Sequence, residues 1–201
     1  MDRLPALISA LLVFGLAACQ NASKPRPAIE RVNSVQADPS QTPSADRFCE
    51  VTGASDNARS FRYPDLTAPA PASPRAGAGR PRWVNVWATW CKPCIEELPM
   101  LLRWQADLAK AGTPFDLVLL SLDDDEAAVK RFRDEHPGTP PSLRIKNPAL
   151  AEAWAVTLGL DKGAAIPIHV FVDPRGHIRC ARTGSLARDH FPAVRAILAG
   201  G

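Results

Sequence analysis

The sequence predicts an α/β fold: a mixed central β-sheet flanked by helices, with an extra helix inserted before the last pair of strands. Three observations predict it. From Trp83 onward, short apolar runs alternate with amphipathic stretches of helical period. A turn signal, Asp173-Pro174-Arg175-Gly176, separates two strand-like runs near the end. The order β-α-β-α, inserted helix, β-β-α then requires a sheet with both parallel and antiparallel neighbours.

The elements follow in order. Trp83 to Trp87 is a short apolar strand, and Cys94 to Ala111 is a helix whose face carries Leu98, Leu101, Leu102, Trp104 and Leu108. Pro99 falls inside that helix and removes one backbone donor or kinks it. Phe115 to Leu122 is an almost unbroken apolar run, as expected of a strand covered on both faces. The acidic Asp123-Asp124-Asp125-Glu126 opens the next helix, where the dipole favours negative charge, and His136-Pro137-Gly138 closes it. Pro140 to Ile145 is a short extended piece, Pro148 to Leu158 the inserted helix and Ile168 to Val172 the next strand. His177 to Ala181 returns as a hairpin, and Asp189 to Leu198 ends the chain as a helix.

Composition divides the chain into three parts. Residues 1–18 have one basic residue, Arg3, followed by an apolar stretch too short to span a bilayer, which needs about 20 residues. Residues 19–46 are polar and rich in Pro, Ser, Gln and Asn, a composition that cannot bury enough surface to fold and reads as a tether. Residues 47–201 hold the folded domain: Phe48, Val51, Phe61 and Tyr63 pack on or pair with it, and Thr67 to Arg82, rich in Ala and Pro, is a surface loop. The formal charge of +3 comes without a dense Lys/Arg block, so nucleic-acid binding has no support.

The cysteines carry the chemistry. The run Leu16-Ala17-Ala18-Cys19 resembles the bacterial lipobox, which implies cleavage before Cys19 and a lipid on its sulfur. A plain signal peptide is the alternative. With Gln20 rather than Asp behind the cysteine, lipobox habit points to the outer membrane of a Gram-negative envelope, facing the periplasm. Four cysteines remain in a compartment that permits disulfides: Cys49, Cys91, Cys94 and Cys180. Cys91 and Cys94 are too close in sequence to treat apart, which leaves Cys49 and Cys180 either as a structural bridge or as two unpaired buried thiols.

Trp90-Cys91-Lys92-Pro93-Cys94 stands where a strand turns into a helix. There the Cys91 sulfur meets unpaired backbone N–H groups and the positive dipole end, which favour thiolate over thiol. Cys94, one turn deeper, is less exposed. Cys91 is therefore the exchanging thiol and Cys94 the one that resolves a mixed disulfide. Lys92 adds a positive charge, and Pro93 suits a first helical turn.

The stretch from Asn85 through the two cysteines to Ile95-Glu96-Glu97-Leu98-Pro99 resembles the active-site segment of the TlpA/ResA-type thioredoxin-like proteins. Val118 to Asp123 with its acidic helix start, and Ala165-Ile166-Pro167 followed by Ile168–Asp173 and Gly176, resemble later segments of the same family; the likeness covers about residues 80–182. The resemblance implies a thioredoxin-like fold and disulfide exchange with protein substrates. It also implies a cis-proline at Pro167 that sets Ile166 beside Cys91 to meet a substrate strand. Glu97 matches the family's acid three residues after the second cysteine, with a role in moving protons from Cys94 or tuning the thiols. Asn85 stands where ordinary thioredoxins carry a buried Asp, which puts more weight on Glu97.

Trp90 is expected to shield the disulfide and meet substrate, Trp87 to lie in the core, and His169 to be a satisfied strand histidine that could also modulate the thiolate. No cofactor beyond the Cys91–Cys94 disulfide and no metal site is expected. The resemblance points to a reductant, as in cytochrome c maturation, recharged by an upstream membrane thiol donor. A copper metallochaperone using Cys91, Cys94 and His169 is the alternative, since thiolates suit Cu(I).

Overall fold

The computed structural model describes residues 45–53, 59–67 and 79–200. The expected signal segment, Cys19 and the expected tether up to residue 44 lie outside the described residues. A six-stranded mixed sheet has the order β1-β6-β5-β2-β3-β4. Its strands are β1 (Val51–Thr52), β2 (Arg82–Trp87), β3 (Asp116–Ser121), β4 (Ser142–Arg144), β5 (Ile168–Val172) and β6 (Ile178–Thr183). The helices are α1 (Ala45–Phe48), α2 (Lys92–Lys110), α3 (Glu126–Glu135), α4 (Ala151–Leu158) and α5 (Phe191–Leu198).

β2 is the centre of the sheet. It runs parallel to β3 and antiparallel to β5, and all six of its residues are buried. Strand alternation then sorts the core into two layers. Trp83 and Trp87 of β2, Leu117 and Leu119 of β3 and Phe171 of β5 meet the apolar faces of α2, α3 and α5 on one side. Val84, Val86, Val118, Leu120, Ile168 and Val170 meet Trp154, Ala155 and Leu158 of α4 on the other. The parallel steps β2-α2-β3 and β3-α3-β4 move in one direction along the sheet, so right-handed crossovers place α2 and α3 on the same face. The inserted α4 covers the opposite face, between β4 and β5 in the chain.

Local chemistry accounts for the helix ends. α2 begins at Lys92, two residues before the sequence expectation, because Cys91 caps it and Pro93 fits its first turn. Pro99 lies on the exposed side of α2, where a missing backbone donor is tolerated. Asp125 caps α3, its carboxylate accepting the Ala127 N–H at 2.8 Å. Gly159, with φ of 98°, ends α4 in the left-handed region.

The start of β2 also differs from expectation. Arg82, assigned to the surface loop, opens β2 and is buried. Its Nη1 donates to the Tyr63 hydroxyl at 3.3 Å, and the guanidinium lies 5.9 Å from the centre of that ring. A charge at a strand start is kept by an aromatic partner that is 19 residues away in sequence. Burial pushes the Tyr63 phenol upward in pKa, against the lowering effect of Arg82.

Candidate active site

The site forms where β2 runs out. Cys91 N–H donates to the Ala88 carbonyl at 3.1 Å, which closes the turn after Trp87. Cys91 then caps α2 with extended backbone (φ −88°, ψ 93°), and its sulfur accepts the Cys94 N–H at 3.3 Å. A sulfur held at a helix N-cap faces backbone donors and the positive end of the dipole, the arrangement that stabilises a thiolate. Cys91 and Cys94 form a disulfide. They are 5% and 1% exposed, so the one accessible edge belongs to Cys91.

The turn before Cys91 is held from β3. Asp123 accepts the Thr89 hydroxyl at 2.6 Å through Oδ1 and the Thr89 N–H at 3.0 Å through Oδ2. Its Oδ2 also accepts the Ser121 hydroxyl at 2.8 Å. The sequence pattern assigns Asp123 to an acidic helix start. The structure instead buries it at the end of β3, and only Asp125 caps the helix. The signal available was position: Asp123 comes immediately after the apolar run that ends at Leu122, where a side chain still lies against the sheet.

Glu97 turns inward. Cys94, Glu97, Leu98, Leu101, Trp104 and Leu108 form the buried stripe of α2, so a carboxylate occupies an otherwise apolar face. It is 4% exposed and well partnered. Oε1 accepts the Asn85 amide N–H at 3.1 Å, and Oε2 accepts the Leu186 backbone N–H at 2.8 Å. His169 Nε2 stands 3.4 Å from Oε1 without hydrogen-bond geometry. Asn85 and His169 are register partners on β2 and β5, and they line the sheet face beneath Glu97.

The Ile166–Pro167 peptide is cis. Ile166 shares a cavity of about 600 Å³ with Trp90, Cys91, Pro93, Leu122 and Trp154. Its walls are mostly apolar, with Lys92 and Glu152 among the lining residues. Trp90 is 67% exposed and stands at this cavity, while Trp87 is fully in the core with its indole N–H on Ser142 Oγ at 3.0 Å. The cavity lies between the cysteine turn, the loop before β5 and the inserted α4.

Cys49 and Cys180 are joined across 131 residues of chain. The bond ties the segment before β1 to the centre of β6, away from the cavity-lining residues. Among the described residues, no group of three or more His, Cys, Asp or Glu is placed to hold a metal ion. Among the same residues, no helix is long and apolar enough to cross a membrane.

Comparison with known proteins covers most of this domain. The Redoxin family model matches residues 53–198. The thiol:disulfide interchange protein DsbE of Pseudomonas aeruginosa is 35% identical over 147 residues, which are 71% of this chain and 69% of that one. The thiol-disulfide oxidoreductase ResA of Oceanobacillus iheyensis is 31% identical over 111 residues, 55% of this chain and 53% of its own. The chain thus spans just over half the length of the ResA relatives it matches. In fold, the crystal structure of a thioredoxin-related protein from Neisseria meningitidis serogroup B superimposes with a TM-score of 0.53 at 24% identity, over 69% of this chain and 98% of that one.

Proposed function

This chain belongs to the Redoxin family and has a thioredoxin-like fold, and from that premise we propose that it is an extracytoplasmic thiol–disulfide oxidoreductase acting on protein substrates, as a reductant. The observation that carries the reading is the Cys91–Cys94 disulfide at the N-cap of α2, with only Cys91 open to a cavity that Ile166 and Trp90 also line.

In the reduced protein the Cys91 thiolate attacks one sulfur of a substrate disulfide. One substrate thiol leaves, and a mixed disulfide joins Cys91 to the other. Cys94 then loses its proton and attacks the Cys91 sulfur. The second substrate thiol is released and the Cys91–Cys94 disulfide remains; two electrons have passed to the substrate. Glu97, three residues beyond Cys94 on the same helical face, is the group that takes the Cys94 proton. Ile166, before Pro167, offers its backbone to the substrate strand, and Trp90 covers the exposed side.

The rest of the proposal concerns place and partners. A lipid on Cys19 anchors the chain to the cell envelope, in the outer membrane of a Gram-negative cell, with residues 20–46 as tether. A membrane thiol donor returns the pair to the dithiol, and an apocytochrome c disulfide is the substrate, released as its thiol pair. The names of the DsbE and ResA relatives describe disulfide interchange and support the reaction class.

The test is the equilibrium potential of the Cys91–Cys94 pair together with insulin reduction by wild type, Cys91→Ser and Cys94→Ser. A value near the thioredoxin level of about −270 mV fits a reductant, whereas one near about −120 mV makes the protein an oxidant and overturns the direction. Insulin reduction that survives Cys91→Ser ends the reading altogether.

A further inference from the structure

We propose that His169 is the positioning residue for Glu97, presenting a fixed Nε2–H to its carboxylate. The proposal rests on the reading that Glu97 serves Cys94. His169 is fully buried on β5, opposite Asn85 of β2 and Arg182 of β6. Nothing in its position two residues after Pro167 requires an imidazole there, and a buried imidazole is retained only if its nitrogens are satisfied.

Its proton can be placed from its neighbours. The Trp83 indole nitrogen is a donor only, and it points at His169 Nδ1 from 3.3 Å. Asn85 Nδ2 stands 3.3 Å from the same Nδ1. The orientation of that amide is decided by Glu97, whose Oε1 receives Nδ2 at 3.1 Å; turning the amide over would set Oδ1 against a carboxylate oxygen. Two N–H groups therefore converge on Nδ1, which must accept. The ring proton is on Nε2, and Nε2 faces Glu97 Oε1 at 3.4 Å.

The carboxylate is thereby held at both ends. Oε1 faces Asn85 and His169, and Oε2 accepts from the Leu186 backbone. At 3.4 Å the His169 Nε2 and Glu97 Oε1 are not yet hydrogen-bonded, and Nε2 has no other partner, so this carboxylate is the acceptor within its reach. Other charged or titratable groups stand nearby. The charges of Arg182 on β6 and Glu97 influence one another, and His190, just before α5, lies within electrostatic reach of Arg182 and His169. His169 does not touch a reacting sulfur; it acts through Glu97.

The experiment uses the full chain, with ¹⁵N-labelled histidine for the spectrum. An unprotonated Nδ1 and a protonated Nε2 at residue 169 are expected; the opposite tautomer overturns the assignment. In insulin reduction, His169→Leu is expected to slow turnover about tenfold, equivalent to about 1.4 kcal/mol. His169→Gln, whose amide N–H can replace Nε2–H, should stay within about threefold of wild type on the same scale. In a Glu97→Gln background, His169→Leu should add no further loss. A Gln variant as slow as the Leu variant, or an equal Leu effect without Glu97, makes His169 a packing residue. Glu97→Gln at full wild-type rate defeats the Glu97 reading and this one together, whereas an active effect of Glu97→Gln beside a silent His169→Leu defeats only this one.

Discussion

Asp123 accepts both the hydroxyl and the backbone N–H of Thr89, two residues before Cys91, and so ties the chain just after β3 to the turn that carries Cys91. The relationship is stricter than a surface contact because Asp123 is 3% exposed and its second anchor, Ser121, is fully buried. A carboxylate in that position has three donors from three different groups: the Thr89 hydroxyl, the Thr89 backbone and the Ser121 hydroxyl.

Replacing Asp123 by Ala leaves those donors without their acceptor. The expected loss of stability is about 1–3 kcal/mol, the desolvation penalty of unpaired buried groups. Asp123→Asn keeps the shape and should lose less. Urea unfolding of the oxidised proteins measures the stability, and the rate of Cys91 alkylation after reduction measures the looser turn. If the Ala variant unfolds at the wild-type midpoint, Asp123 is not holding the turn.

Much of the site was legible because it is local in sequence. Strand, turn, Cys91, Pro93, Cys94 and helix are contiguous, so cap chemistry and helical period suffice to order them. Glu97 was legible as a candidate but its environment was not. Its partners are Asn85, His169 and Leu186, and the Leu186 contact spans 89 residues. Asp123 was misread for a related reason: an acidic run before a helix has a local explanation, and only the tertiary position of Thr89 reveals the other one. Arg82 shows the same limit, since its partner Tyr63 lies across a segment rich in Ala and Pro.

The Cys49–Cys180 bond predicts a stability effect separable from activity. It closes a loop of 131 residues between the chain before β1 and a fully buried position on β6. Converting both residues to Ser should lower the unfolding free energy by about 2–5 kcal/mol under oxidising conditions. The potential of the Cys91–Cys94 pair should stay the same, because neither sulfur of the bridge lines the active cavity. A joint change in stability and potential would show that the bridge is coupled to the redox pair.

Two groups outside the catalytic pair set a pH dependence of folding. Burial holds the His190 imidazole below its usual range, and the Arg182 charge adds to this. A histidine lowered on folding binds its proton more readily in the unfolded chain, so its contribution is complete above the unfolded value of about 6.5 and is lost as pH falls through the folded one. At lower pH Asp173 acts in the same sense. Burial alone would raise its carboxyl, but the His177 and Arg175 backbone N–H groups, with the His177 ring, outweigh it and hold the pKa below 3.8. Its stabilising effect is present above that value and disappears in stronger acid. Urea midpoints from pH 4.5 to 8 should therefore fall on the acid side for wild type more steeply than for His190→Gln. Parallel curves for the two proteins would remove His190 as the cause.

Trp90 offers the cleanest separation of binding from folding. It is 67% exposed, yet it stands beside Cys91, Pro93 and Ile166 at the apolar cavity. An exposed side chain of this size contributes little to the folded state, and Trp90→Ala should change unfolding free energy by no more than about 0.5 kcal/mol. Under the proposed function, a substrate chain whose cysteine reaches Cys91 passes over the same ring, where burying an aromatic face would stabilise the complex. The truncation should therefore raise KM for a protein disulfide severalfold. It should leave the rate with a small disulfide such as oxidised glutathione nearly unchanged. Equal losses with both substrates would place Trp90 in the chemistry at the sulfur rather than in the contact with the chain that carries it.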